Sequence, residues 1–356
     1  MTDRVATENS EITERRGRSP IFSVRSVFSV ARVLRAFFTV AIPLLSAAEP
    51  KSITALAFSP DGKALVAGSA REVRRWELPA GKPAAPIPLE FAKITSVHFD
   101  SAGKWLAVGG GHPGASGGVA ILRWPEAGVF AAWNDHTDLV TAVGFDSASR
   151  RVVVSSADRR AEVFSWPEMQ RLYQLDGHAG PILGAAFSPD DKVIVTVSAD
   201  RSVKVWDTTD GSLKLSFSHH TDIVHGVAFR PAVFVDGQPV PFYCATASED
   251  RTVRVWQPAI GRMVRIVRGH EEPVFAVAYS PTGDRLYSAG KEGIIRITDG
   301  DSDELVYHWE AHTDWIYALA VNPADGLLAS ADWAGWLRLW KIEAGRAALV
   351  SELDHP

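Results

Sequence analysis

The chain is nearly devoid of cysteine: Cys244 is the only one in 356 residues. An internal disulfide is therefore impossible, and no Cys-x-x-Cys-His haem attachment can be written. Cys244 lies in FYCATAS, a strand-like stretch where a small buried hydrophobe is expected. No large excess of charge exists either, since 37 Lys and Arg stand against 42 Asp and Glu, a net −5. That balance argues against a general polyanion-binding role, so nucleic acid is not an expected partner. The apolar run at residues 36–45 (AFFTVAIPLL) is only ten residues long, too short for an ordinary membrane helix of roughly 20. The sequence has no phosphate loop, no Gly-x-Ser-x-Gly elbow and no His-Glu-x-x-His helix. His219, His220 and His225 invite a metal reading but have no matched carboxylate pair beside them. No catalytic, cofactor or metal residue is assigned.

What the chain has is repetition. One unit runs over residues 177–207 as GHAGPILGAAFSPDDKVIVTVSADRSVKVWD, and a second begins at His220 and closes with ASEDRTVRVW. An aromatic or apolar residue ends the first strand of each unit: Phe58, Phe99, Phe145, Phe187, Phe229, Tyr279 and Val321. The spacings are 41, 46, 42, 42, 50 and 42 residues. Residues 109–118 (GGGHPGASGG) and 231–241 (PAVFVDGQPVP) account for the two long intervals and read as inserted surface loops. Val193, Val195 and Val197 alternate with Ile194, Thr196 and Ser198, a period of two typical of strands. Each unit supplies about four strands, and a unit that short must stack on its neighbours to bury its apolar faces. Pro86 and Pro88 flank Ile87 in the first unit, which places that strand at a sheet edge.

These residues resemble the WD-repeat (tryptophan–aspartate) β-propeller family over roughly residues 52–353. Gly177-His178, Ser198-Ala199-Asp200 and Trp206-Asp207 match its signature in full. The resemblance implies an all-β fold, a seven-bladed β-propeller of four-stranded antiparallel blades. It also implies a structural hydrogen-bonded cluster: His178, Thr196 or Ser198, Asp200 and Trp206 in the fourth unit, and His220, Thr246 or Ser248, Asp250 and Trp256 in the fifth. Other units depart from the pattern. The third has His136 and Asp158 but Phe164 for Trp. The sixth has His270 with Glu292 and Thr298. The seventh has His312 and Trp340, with Ala334 where Asp is expected. The first two keep Trp76 and Trp124 but carry Glu49 and Glu90 at the His register, so apolar packing must hold them.

Residues 1–48 read differently. Arg32 and Arg35 precede the short apolar run, and Ser46-Ala47-Ala48 follows it, the layout of a secretory signal peptide. Cleavage after Ala48 would leave residues 49–356 as one propeller with little to spare, carrying 30 basic and 38 acidic side chains. The competing reading keeps the alternating stretch 21–30 (IFSVRSVFSV) as an edge strand. The seventh unit is expected to own all four of its strands, with 347–353 as the outermost.

The residue three after each His should begin the strand nearest the central channel. It is Leu139, Pro181, Ile223, Pro273 and Trp315, with Lys93 and Ser52 at the matching register. Such a rim with one large aromatic is an interface candidate, with Trp315 as the first anchor. Asp138, Asp222, Glu271, Glu272 and Asp314 make the same rim acidic, which would suit a basic partner segment. Of Trp333 and Trp336, one could fill the gap left by the missing Asp and the other be exposed.

The expected function is thus a noncatalytic scaffold that binds a protein or peptide, as a single propeller within a complex, periplasmic or secreted and without a membrane span in mature form. The alternatives are an enzyme using the central channel, with Glu271, Glu272 and His225 as the nearest candidates, or a cytoplasmic scaffold.

Overall fold

A computed structural model describes residues 52–354, apart from 233, 236–237 and 240–241. Seven four-stranded antiparallel sheets follow one another, each in simple sequence order, and a two-stranded hairpin (Phe234–Val235 with Gln238–Pro239) is inserted in the fifth. The innermost strands are Ala55–Phe58, Lys93–Phe99, Val140–Phe145, Ile182–Phe187, Val224–Phe229, Val274–Tyr279 and Ile316–Val321. Their last residues are the seven repeat anchors. Each innermost strand contacts the next, and the seventh contacts the first, so the sheets close into a ring.

The cores explain why a lone blade could not fold. There are seven apolar clusters, and each is built from two adjacent blades. The strand Val193–Ser198 shows the mechanism, since all six residues are buried. Val193, Val195 and Val197 enter the core shared with blade 5, while Ile194 enters the one shared with blade 3. Alternation along a strand thus feeds two interfaces, and removing a neighbour would expose one face of the blade beside it.

Closure uses no strand exchange among the described residues. The outermost strand of blade 7 is Arg346–Asp354, paired to Leu337–Glu343 of its own blade. Ile53, Leu65 and Trp76 of blade 1 pack on Ala329, Leu337 and Leu339 of blade 7, and the Asn322 side chain donates to the Gly62 carbonyl at 3.1 Å. The stretch 21–30 and the cleavage site expected after Ala48 lie outside the described residues.

The edge strand of blade 1, Lys82–Pro88, carries Pro86 and Pro88 and pairs on one side only. Residues 109–118 are not a surface loop. They lengthen the central hairpin of blade 2 into strands Trp105–His112 and Ser116–Arg123, leaving only the tip as a turn. Glycine is needed there for clearance. A Cβ at Gly110 would lie 2.4 Å from the Lys93 carbonyl, and one at Gly117 would lie 2.0 Å from that of Asp138.

Candidate functional site

In blade 4, His178 Nδ1 lies 3.0 Å from Asp200 Oδ2 and Nε2 lies 2.7 Å from Thr196 Oγ1. The indole N–H of Trp206 donates to the same Thr196 oxygen at 2.8 Å. Blade 5 repeats this with His220, Asp250, Thr246 and Trp256. The hydroxyl in the relay is therefore Thr196 or Thr246, two residues before Ser198 and Ser248 on the same strand face. Those serines do other work. Ser198 donates to the Pro181 carbonyl, Ser248 donates to that of Asp222, and each accepts the N–H of the turn Asp. Burial alone would raise the Asp200 carboxyl, but hydrogen bonds from His178, Ser202 and the Ala179 N–H outweigh it and hold it well below the usual range.

Blade 7 keeps the whole relay despite Ala334. Asp332, two residues earlier and fully buried, accepts from His312 at 2.9 Å and from the Trp336 N–H at 2.9 Å. The expected gap is filled by this aspartate and by neither tryptophan. His312 and Trp340 share the Ser330 hydroxyl at 2.7 and 2.8 Å. Blade 6 joins His270 to Glu292 and Ser288, but Thr298 cannot reach the relay and its hydroxyl has no partner. In blade 3, His136 binds Asp158 at 3.0 Å, while Val154 and Phe164 occupy the hydroxyl and indole positions, leaving His136 Nε2 without a hydrogen bond, with the buried Glu162 carboxylate 3.9 Å away. Blade 2 buries Phe91 beside an exposed Glu90 instead.

On the face carrying these histidines, the channel mouth is built by the residue five after each His register. Blades 1 to 3 place Thr54, Thr95 and Thr141 there. Each hydroxyl donates to a backbone carbonyl of the next blade: Ile94, Val140 and Ile182. Blades 4 to 7 place Leu183, His225, Phe275 and Tyr317. The last three form a continuous ring contact: His225 edge-on to Phe275 at 5.0 Å, and Phe275 stacked on Tyr317 at 4.8 Å. Tyr317 meets Trp333 at 5.4 Å, and Phe275 meets Trp315 at 6.1 Å. Burial, with the Asp314 and Glu249 carboxylates adding to it, pushes the Tyr317 hydroxyl up to about 12.

Trp315 and Trp333 remain 37% and 42% exposed, and Trp333 N–H donates to the Trp315 carbonyl at 2.9 Å. Leu139, Pro181, Ile223 and Pro273 sit just ahead of their innermost strands, half-buried, and their carbonyls accept turn N–H groups in the same way. Only Trp315 in that register is an exposed large apolar side chain. The apolar ring expected there thus reduces to one aromatic patch. Phe275, Tyr317 and Trp333 complete it, and reading five residues beyond each His would have located the first two.

The rim carboxylates are held locally. Asp138, Asp222 and Asp314 each accept the next residue's backbone N–H at 2.7–2.9 Å. Glu272 pairs with Lys291 at 2.9 Å, and that ammonium lies 5.8 Å from the Trp315 ring centroid. His225 Nε2 lies 2.9 Å from Glu249, whose carboxyl is lowered first by that hydrogen bond. His225 is therefore joined to Glu249, and Glu272 to Lys291, rather than to one another.

Comparison with known sequences follows the same geometry. The family described as "WD domain, G-beta repeat" matches residues 44–77, 169–207, 211–257, 261–299 and 303–341, together more than half of the chain. The matched ranges omit blade 2 and most of blade 3 but include blade 1, which lacks the relay histidine, and blade 6, which lacks the indole. A kinesin-like protein of Mus musculus, KIF21B, is 37% identical over 62 residues, which is 17% of this chain and 4% of that protein. The chain thus spans a small fraction of that relative's length. With seven closed four-stranded blades and matched repeats over most of them, the chain belongs to the WD domain, G-beta repeat family.

Proposed function

We propose that the protein is a noncatalytic docking module that takes a peptide segment of a partner on the face carrying Trp315 and Trp333. Propellers of this family commonly serve as interaction scaffolds. Fold alone does not specify the site, so the reading rests on one observation. The channel mouth is divided. Threonine bridges seal three blades, while blades 5 to 7 carry a run of aromatic rings whose two tryptophans stay exposed. Exposed tryptophan beside packed rings costs free energy unless a partner covers it, and tryptophan is enriched among residues that dominate binding.

The test is differential capture. Proteins retained by the wild-type chain should be lost with Trp315→Ala/Trp333→Ala, while the thermal midpoint stays within a few degrees. Equal retention by both chains would remove the patch as the docking surface. Export belongs to the same reading: residues 1–48 act as a signal and the propeller works in the periplasm or outside the cell. The layout of Arg32, Arg35, residues 36–45 and Ser46-Ala47-Ala48 supports this. An intact Met1 on the protein recovered from cytosol would overturn it.

A further inference from the structure

Resting on that docking surface, we infer that Lys93 is its carboxylate receptor: the segment lying over Trp315 and Trp333 carries an Asp or Glu side chain that pairs with the Lys93 ammonium. Lys93 occupies the register held elsewhere by Leu139, Pro181, Ile223, Pro273, Trp315 and Ser52, and it alone there is charged. Ser52 of the intervening blade is small, so the Lys93 side chain reaches past it to blade 7. Its Nζ lies 5.1 Å from the Trp333 ring centroid.

The environment of this cation is unbalanced. Among the described residues no carboxylate forms an ion pair with Lys93. Lys93 is half-buried, and burial alone pulls its ammonium below the ordinary lysine range. Lys291 is the control within the molecule. It lies over Trp315 in the same manner, but Glu272 neutralises it at 2.9 Å. A desolvated cation without a counter-ion is costly, and a carboxylate delivered by a partner offsets that cost. A ring cannot replace the carboxylate, because an aromatic face attracts a cation only weakly.

The shape of the patch selects an extended peptide. From His225 the contacts step through Phe275, Tyr317 and Trp333 to Lys93 at intervals of 4.8–5.4 Å. About six residues of extended chain at roughly 3.3 Å each would follow that contour. A polyphosphate is disfavoured there, since Asp222, Glu271 and Asp314 would repel repeated negative charge, whereas a single carboxylate at the Lys93 end avoids them.

Random eight-residue peptides displayed on phage, panned against the full chain and its variants, test the pairing. The wild type should enrich peptides with Asp or Glu at a fixed distance from an aromatic or aliphatic residue. Lys93→Met should weaken the acidic preference, and Lys93→Glu should deplete those peptides about tenfold while the apolar preference persists. An acidic preference unchanged in both Lys93 variants, or Trp-dependent enrichment without any acidic residue, would overturn the pairing and leave the docking surface standing. No enrichment that depends on Trp315 and Trp333 would remove the docking surface itself. Retention of polyphosphate that needs Lys93 but not the tryptophans would assign the cation to a polyanion instead. A thermal midpoint for Lys93→Met equal to wild type shows that lost selection is not lost folding.

Discussion

Blades 4 and 3 are neighbours built on the same frame, yet they solve the same burial problem differently. In blade 4 one threonine oxygen serves both an imidazole and an indole, so every buried polar atom of the relay has a partner. Blade 3 replaces the threonine with Val154 and the tryptophan with Phe164. Losing both members together removes the hydroxyl and the indole at once, but it leaves His136 Nε2 with no hydrogen bond, facing Glu162 at 3.9 Å. Charges have also been exchanged. Lys204 of blade 4 corresponds to Glu162, which is buried and held by Arg171 at 3.1 Å, while Arg160 takes the place of Ser202 on the turn aspartate. The turn survives in both blades because the aspartate does. Between these two blades, then, the carboxylate anchoring the His and the turn is the member kept, and the hydroxyl–indole pair is a second layer.

Acid should weaken the blades that pair a buried histidine with a carboxylate. Burial lowers His220 and His270 below the ordinary histidine value of 6.5, despite opposing hydrogen bonds donated to Asp250 and Glu292. For Glu292, burial opposes and the His270 and Arg296 hydrogen bonds prevail, bringing it from 4.5 to about 2. Asp250 is depressed in the same sense. Each of these groups binds fewer protons folded than unfolded, so stability falls as pH falls. The histidine contribution is complete above 6.5 and fades below it. The carboxylate contribution is complete above about 4.5 and fades toward 2. Urea midpoints should therefore drop from pH 7 to 5 and more steeply from pH 5 to 3. A flat midpoint over that range would mean the relays do not couple to folding.

The blades were legible in the sequence because the anchors are local: each of Phe58, Phe99, Phe145, Phe187, Phe229, Tyr279 and Val321 ends its innermost strand. What escaped depends on contacts between units. Residues 109–118 read as loop because glycine is a strand breaker, whereas here glycine is required by a carbonyl lying against the strand. Asp332 was hidden by a shift of two residues, which keeps a strand side chain on the same face and so preserves its reach to His312. Thr196 and Ser198 share a face, so the choice between them needed the position along the strand at which His178 and Trp206 meet. Trp315 was legible as a register outlier. Its partners Phe275, Tyr317 and Trp333 come from other positions or another blade, and Lys93 meets Trp333 only because the ring closes.

The shifted aspartate offers a way to separate the carboxylate from its address. Asp332→Ser should strand His312 Nδ1 and the Trp336 N–H and cost about 3 kcal/mol, at roughly 1–3 kcal/mol per unsatisfied buried donor. Adding Ala334→Asp to that variant recreates the Ser-x-Asp order of blades 4 and 5. It should recover most of the loss in chemical denaturation. If the double variant is no better than Asp332→Ser alone, blade 7 depends on the strand position and not simply on a carboxylate within reach.

The second layer is tested by exchanging residues between the two neighbours. Thr196→Val in blade 4 leaves His178 Nε2 and the Trp206 N–H unsatisfied and should cost about 2 kcal/mol. Val154→Thr in blade 3 is the reverse change, nearly isosteric, and brings a hydroxyl to the register that faces His136 Nε2. It should stabilise by about 1 kcal/mol, the usual net value of one hydrogen bond. Coupling it to Phe164→Trp should add to that gain, because the new hydroxyl can then accept the indole N–H as Thr196 does. Opposite signs in the two blades, read as urea midpoints at pH 7, would show that a hydroxyl at this register stabilises either blade. A loss on Val154→Thr would instead mean that the Val154–Phe164 contact has become the more favourable packing, and that blade 3 has settled on an apolar interface at the expense of one imidazole nitrogen.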